Sequence, residues 1–302
     1  MASEGPAELD SLVTEARGQF DDYDVRTTRE LVELMNAGDA AVPAVVGAAS
    51  AAVAAVVDKV VESLGHGGRL IYAGAGSSGR IAELDADECE ATFSTEPGQV
   101  VALVAGAGLA SPLDREAAED DAEAGRRAVA DLGVAGADVV LGISASGRTP
   151  YVLGALEAAR AAGAVTGCLV SAPGSPLASI AEHEVQIVVG PEFVAGSTRL
   201  RAGTAQKLVL NTISTVSMIR LGKTFGDLMV DVRASNEKLA ARARRIVTIA
   251  TGVSRAEAEQ ALAAADGSAK VALVSLLAGV DAQTARARLD EARGDVRSAL
   301  RR

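Results

Sequence analysis

Short apolar runs alternate with longer amphipathic segments through the middle of the chain. The runs fall at 70–73, 100–104, 139–143, 165–170 and 185–189. Each is short and lacks regular polar alternation, the pattern of a parallel strand covered on both faces. The segments between them have helical spacing. Strand and helix in alternation predict an α/β fold with a doubly wound, five-stranded parallel sheet. A helix over 44–64 and another over 203–220 would cover its faces.

The two ends read as helical. Residues 28–35 have helical spacing, and Asn36-Ala37-Gly38 supplies a stop. Towards the C-terminus, Ser254-Arg255-Ala256-Glu257 is a capping box that opens a helix to Ala265. Asp266-Gly267 breaks it, a second helix covers 268–277, and a third begins after Asp281. A longer helix after Asn236 links this three-helix bundle to the sheet. The predicted organisation is a helical segment over 1–58, a sheet domain over 59–232 and a helical domain over 233–302.

The stretch 40–57 carries no charge, which raises the question of a membrane span. It contains Ala, Val, Gly, Ser and Pro43 but no Leu, Ile or Phe, so it is expected to be buried in the fold or in a subunit interface. The N-terminus, Met1 to Pro6, lacks the basic start of a signal peptide.

Composition narrows the chemistry. The 302 residues carry a formal net charge of −11, which argues against a nucleic-acid partner. Cys89 and Cys168 are the only cysteines, so a disulfide framework is not expected and a reducing cytoplasm is. With His66 and His183 as the only histidines, a multi-His metal site is nearly excluded. The cysteines read as small core residues and His66, between glycines, as a turn residue.

Two glycine- and serine-rich turns follow predicted strands: Gly74-Ala-Gly76-Ser77-Ser78-Gly79-Arg80, and Ser144-Ala-Ser146-Gly147-Arg148-Thr149-Pro150. A strand feeding a helix N-terminus offers free N–H groups and a positive dipole end, which suits a phosphate. The first turn matches the dinucleotide fingerprint Gly-x-Gly-x-x-Gly. The acid that would hold a ribose is absent after 100–104, and no P-loop lysine is present. That leaves a phosphate or hydroxyl cradle, or simply a tight turn. Ser144, Ser146 and Thr149 offer three hydroxyls where a helix cap needs one. The two turns together predict a sugar phosphate as partner.

The second turn resembles the segment with which sugar isomerase (SIS) domains hold a sugar phosphate. The likeness extends further. The first turn, Leu84-Asp85-Ala86-Asp87-Glu88-Cys89, residues 145–152, 196–211 and 225–232, Asn236-Glu237-Lys238-Leu239 and the opening Leu12-Val13-Thr14-Glu15-Ala16-Arg17 together resemble the N-acetylmuramic acid 6-phosphate etherase family. The C-terminal helices resemble a ubiquitin-associated (UBA) type bundle.

That resemblance implies cleavage of a D-lactyl ether by C2 deprotonation, elimination and water addition, with no cofactor and no metal. It implies Glu88 and Glu119 as the acid/base pair: Glu119 takes the C2 proton, while Glu88 protonates departing lactate and activates the water. Implied substrate-binding residues are Gly76, Ser77, Ser78, Arg80, Ser144, Ser146, Gly147, Arg148, Thr149 and Lys207. A homodimer is also implied, and from the composition of 40–57 no membrane partner is expected. Where the family usually reads Pro-Pro-Thr after its cysteine, this chain has Glu90-Ala91-Thr92, an added acid expected to raise a neighbouring carboxylate.

Other readings of the same residues stand beside these. The acid run 114–123 has the character of a solvated face, and Lys207 of a surface lysine with an apolar stem. An aldose–ketose isomerase would share C2 proton abstraction. A sugar-phosphate sensor would keep the turns and need no carboxylate pair.

Overall fold

The computed structural model describes residues 12–18, 22–231 and 237–301. The expectations placed on Met1 to Pro6, on Asn236 and on the 232/233 boundary lie outside them. The chain forms two compact units, one from residues up to Ala86 with Gly98–Ser214, the other from Asp87–Pro97 with residues from Thr215 onward.

In the first unit, α1 (Thr28–Asp39), α2 (Val42–Ala48) and α3 (Ser50–Gly65) precede β1 (Leu70–Gly74). There follow α4 (Gly76–Phe93), β2 (Val100–Val104), α5 (Pro112–Ala117), a 3-10 turn at Ala118–Asp120, α6 (Ala122–Asp131), β3 (Val139–Ile143) and α7 (Pro150–Ala161). Then come β4 (Val165–Val170), α8 (Pro176–Ile180), β5 (His183–Gln186) and α9 (Arg201–Arg220). Helices α4 and α9 begin in this unit and end in the other.

The five strands form one parallel sheet in the order β2-β1-β3-β4-β5. Central β1 and β3 are fully buried, as their unbroken apolar runs predict, whereas β2, at an edge, is half-buried throughout. Ile71, Ala73 and Val140 join Val152, Leu156 and Leu177 from α7 and α8 in one core. Tyr72 faces the other way, as strand alternation requires. It is fully buried and donates to Asp85 Oδ2 of α4 at 2.9 Å. Arg69 and Asp138 lock the starts of β1 and β3, with Arg69 Nη2 2.7 Å from Asp138 Oδ2 and Arg69 N 2.9 Å from Asp138 Oδ1. Burial pushes the Asp138 carboxyl up, but Arg69 and backbone N–H donors outweigh it and hold the group below its ordinary value.

The uncharged stretch 40–57 is not the single helix expected over 44–64. It is broken at Ala49, where the Ser50 hydroxyl takes the Gly47 carbonyl out of the helical ladder. It is buried within the chain only in part. Only Val42 of α2 is buried, and α3 buries one face through Val53, Val56, Val57, Val60 and Leu64 while Ala51, Ala54 and Ala55 remain exposed. Taken together, Thr28–Ala48 is long and apolar enough to cross a membrane by length and composition.

The second unit is helical. It contains the hairpin β6 (Thr224–Phe225) and β7 (Leu228–Met229), then α10 (Glu237–Thr251), α11 (Arg255–Ala264), α12 (Ala269–Ala278), α13 (Ala282–Glu291) and α14 (Val296–Leu300). The Ser254–Glu257 capping box forms with both bonds, and Asp266 and Gly267 take positive φ between α11 and α12. Leu262, Leu273, Val274 and Leu289 centre its core. Lys270 is buried and bonds Asp231 at 2.7 Å, and Lys223 reaches the same carboxylate at 3.2 Å.

Candidate active site

The strand order decides where a ligand can sit. The crossover from β1 to β2 runs one way and that from β2 to β3 returns past β1 the other way, leaving a crevice at the C-terminal ends of β1 and β3. In register, Gly74 at the end of β1 pairs with Ile143 at the end of β3. The two glycine- and serine-rich turns therefore leave the sheet side by side. They border a cavity of about 820 Å³, lined by Gly76, Ser77, Ser78 and Arg80 from the first turn and Ser144, Ser146 and Thr149 from the second.

The three hydroxyls of the second turn form one connected group. Ser144 Oγ, buried, lies 2.9 Å from Thr149 Oγ1 and 3.4 Å from Ser146 Oγ, and it accepts from Gly147 N at 3.0 Å. Ser146 Oγ accepts from Arg148 N at 3.2 Å. Thr149 occupies the N-cap of α7 yet its side chain makes no capping bond. In contrast, Ser111, Ser175, Ser254 and Ser268 each cap their helices. A helix start left uncapped beside a hydroxyl cluster presents donors to an anion.

Glu119 faces this cradle from the 3-10 turn after α5. Ser111 caps α5 and Pro112 opens it, as the sequence predicts. The acid run does not continue as a solvated helix, because the tighter 3-10 turn swings Glu119 inward and leaves it half-buried and lining the cavity. It rests over Gly76, whose φ is +52°; a Cβ there would lie 2.6 Å from Glu119 Oε1. Burial, with Asp120 and Glu116 nearby, pushes its carboxyl up, while Arg80 pulls it down. A raised carboxyl in a cleft is the form a proton-transfer group takes near neutral pH.

Four of the other expected site residues are not among the described residues that line the cavity. Glu88 is exposed, about three turns beyond Gly76 on α4. Gly147, with φ +64°, instead packs against Ser175, where a side chain would overlap. Arg148 has its Nε buried with no partner among the described residues. Lys207 pairs with buried Asp85 at 3.7 Å, and Asp85 also accepts from Ser214 Oγ at 3.3 Å. Burial pushes the Cys168 thiol up to about 12, in keeping with a core residue. Among the described residues no group of three or more His, Cys, Asp or Glu is placed to hold a metal ion.

The cavity also has walls that pattern reading did not single out. Thr14, Glu15, Glu83, Arg115, Glu116, Gly196 and Thr198 all line it. For the first two the only signal in the sequence is the opening motif, residues 12–17, of the family likeness.

Crevice, turns and half-buried carboxylate define a protein of the sugar isomerase fold, the class to which two comparisons point. The family "Glucokinase regulatory protein N-terminal SIS domain" matches residues 52–160. The solved phosphoheptose isomerase of Francisella tularensis superposes with a TM-score of 0.53 at 20% identity, over 64% of this chain and 100% of that one. Full-length relatives are more specific. The N-acetylmuramic acid 6-phosphate etherase of Streptomyces avermitilis is 54% identical over 97% of this chain and 95% of its own length. That of Rubrobacter xylanophilus is 55% identical over 97% of each chain, and that of Aliivibrio fischeri 47% identical over 97% and 98%. The chain belongs to the N-acetylmuramic acid 6-phosphate etherase family.

Proposed function

We propose that this chain cleaves the D-lactyl ether of N-acetylmuramic acid 6-phosphate, giving N-acetylglucosamine 6-phosphate and D-lactate. The observation that carries the reading is Glu119: a half-buried carboxylate with a raised pKa, facing a hydroxyl cradle at an uncapped helix start. The phosphate takes the Ser144, Ser146 and Thr149 end, with Arg80 and Arg115 as cations of the same cavity. In the open-chain sugar the C1 aldehyde acidifies the C2 proton. Glu119 removes that proton; the C3–O bond then breaks, a C2–C3 double bond forms, and lactate leaves with a proton from an acid. Water adds back, its hydroxyl to C3 and a proton to C2.

Glu88 is the proposed acid for lactate and base for the water. Glu83, five residues earlier on α4, is the competing assignment because it lines the cavity. Glu88→Gln and Glu83→Gln decide between them: the variant that loses lactate release identifies the group. The protein acts in the cytoplasm as a homodimer, the second copy covering the exposed apolar positions of α1 and α2, among them Val32.

Incubation with N-acetylmuramic acid 6-phosphate in heavy-oxygen water tests the reaction. D-lactate should appear with unlabelled oxygen, and the sugar product should carry the label at O3. Absence of lactate rejects the etherase reading and leaves an isomerase, which moves the C2 proton to C1, or a sensor. Label in the lactate hydroxyl rejects elimination followed by addition.

A further inference from the structure

The wall formed by Thr14 and Glu15 has a chemistry that the hydroxyl cradle and Glu119 do not use. Thr14 is 1% exposed, lines the cavity, and its Oγ1 has no hydrogen-bond partner among the described residues. A buried hydroxyl without a partner costs free energy unless something else satisfies it. Glu15 lines the same cavity next to it. The pair is fastened in place by Gly196, which lines the same cavity. Gly196 N donates to the Thr14 carbonyl at 2.9 Å, and Gly196, with φ +77°, has no side chain to hold off Glu15, whose Oε2 lies 2.6 Å from where a Cβ would stand. The segment is thus held at the cavity wall by its backbone, and both residues line the space a ligand would fill.

We infer that Thr14 and Glu15 are specificity determinants that bind the neutral hydrogen-bond donors of the sugar. The inference rests on the etherase reading. The substrate carries a phosphate and a lactyl carboxylate, neither of which suits a carboxylate neighbour such as Glu15. A carboxylate is acceptor-only, so its partner is an O–H or N–H: the C4 hydroxyl or the C2 acetamido N–H. Thr14 Oγ1 both donates and accepts, so it can take the carbonyl of the same acetamido group or a ring hydroxyl. The anionic ends then lie toward the Ser144 cradle and the arginines, and the sugar's orientation over Glu119 is fixed from both sides.

The test combines variants with substrate analogues. Glu15→Gln and Thr14→Val are each assayed for lactate release with N-acetylmuramic acid 6-phosphate and with its analogues lacking the acetamido group or the 4-hydroxyl. Binding of N-acetylglucosamine 6-phosphate is measured in parallel. A hydrogen bond to a charged acceptor is worth about ten- to a hundredfold in affinity. Glu15→Gln should therefore raise KM by about tenfold or more with the parent substrate, with kcat little changed, and weaken product binding to match. With the analogue that lacks the partner donor, the same substitution should change KM less than twofold, and which analogue does so identifies the donor. Thr14→Val, close in shape, should keep the melting temperature and raise KM. Equal losses on all three substrates would assign Glu15 to bracing the Gly196 turn and overturn the inference, as would an unchanged KM in both variants. If the wild-type chain releases no lactate, it is the etherase reading that has failed, and product binding alone then judges the two residues.

Discussion

Replacing Gly76 by alanine tests whether this turn holds Glu119 or merely connects β1 to α4. Two costs follow from the geometry. Alanine at φ +52° meets the left-handed penalty of roughly 1–2 kcal/mol. For a unit of this size that lowers Tm by about 2–8 °C. Separately, the new methyl would stand 2.6 Å from Glu119 Oε1. Comfortable contact needs about 3.5 Å, so the carboxylate must retreat by about 1 Å. A displacement of that size at a reacting group costs on the order of a hundredfold in rate. Gly98→Ala is the control: its φ is +79° with nothing within 4 Å of the added methyl, so it carries the backbone cost alone. Calorimetry and a D-lactate assay on both variants separate the effects. Both should melt a few degrees low, and only Gly76→Ala should lose kcat. If kcat of Gly76→Ala stays within threefold of Gly98→Ala, Glu119 is not held over this turn as argued.

Other expectations can be checked on the same preparations. Arg80 lowers the Glu119 carboxyl, so Arg80→Gln should move the acid limb of the kcat–pH profile to higher pH; a limb that stays or moves lower contradicts the assignment of Glu119 as the base. Asp138 is held below its ordinary value of 3.8, so its stabilisation is fully present above that pH and lost as pH falls through the depressed value. Arg69→Met should cost about 2–3 kcal/mol at neutral pH and flatten that acid-side loss in a Tm–pH series. Tyr72→Phe removes a buried donor from Asp85 and should cost about 1–3 kcal/mol in denaturant unfolding. Its kcat should fall less than that of Glu119→Gln, which should also abolish exchange of the C2 proton with deuterated solvent.

The sheet was legible because fully buried strands leave runs such as 139–143 that need no tertiary information. Four of the five predicted strands match to within a residue at each end, and the fifth, expected at 185–189, lies at His183–Gln186. Glu119 was legible only through a family motif. By charge pattern alone its neighbours read as solvent-facing, because a 3-10 turn that rotates one acid inward leaves no periodic trace. Lys207 could be read as ligand or as surface; its pairing with Asp85 is a contact between helices far apart in sequence, which neither pattern reveals. Thr14 and Glu15 were likewise illegible from periodicity or charge, because a long-range backbone bond to Gly196 holds them at the cavity. The break at Ala49 turns on one hydroxyl competing for one carbonyl, too local for an apolar pattern to register.

The pairing of Gly74 with Ile143 has a consequence for how such proteins diversify. The separation of the two turns is one inter-strand step, about 4.8 Å, fixed by main-chain bonds and encoded by no side chain. Strand residues can drift without altering that spacing, as a shared fold at 20% identity illustrates. The frame is inherited as geometry, and the groups mounted on it, here Glu119 and the Thr14–Glu15 wall, are free to be exchanged. Selection for a new reaction on this sheet would act on what the turns and the terminal segment carry, with no need to move the points from which they spring.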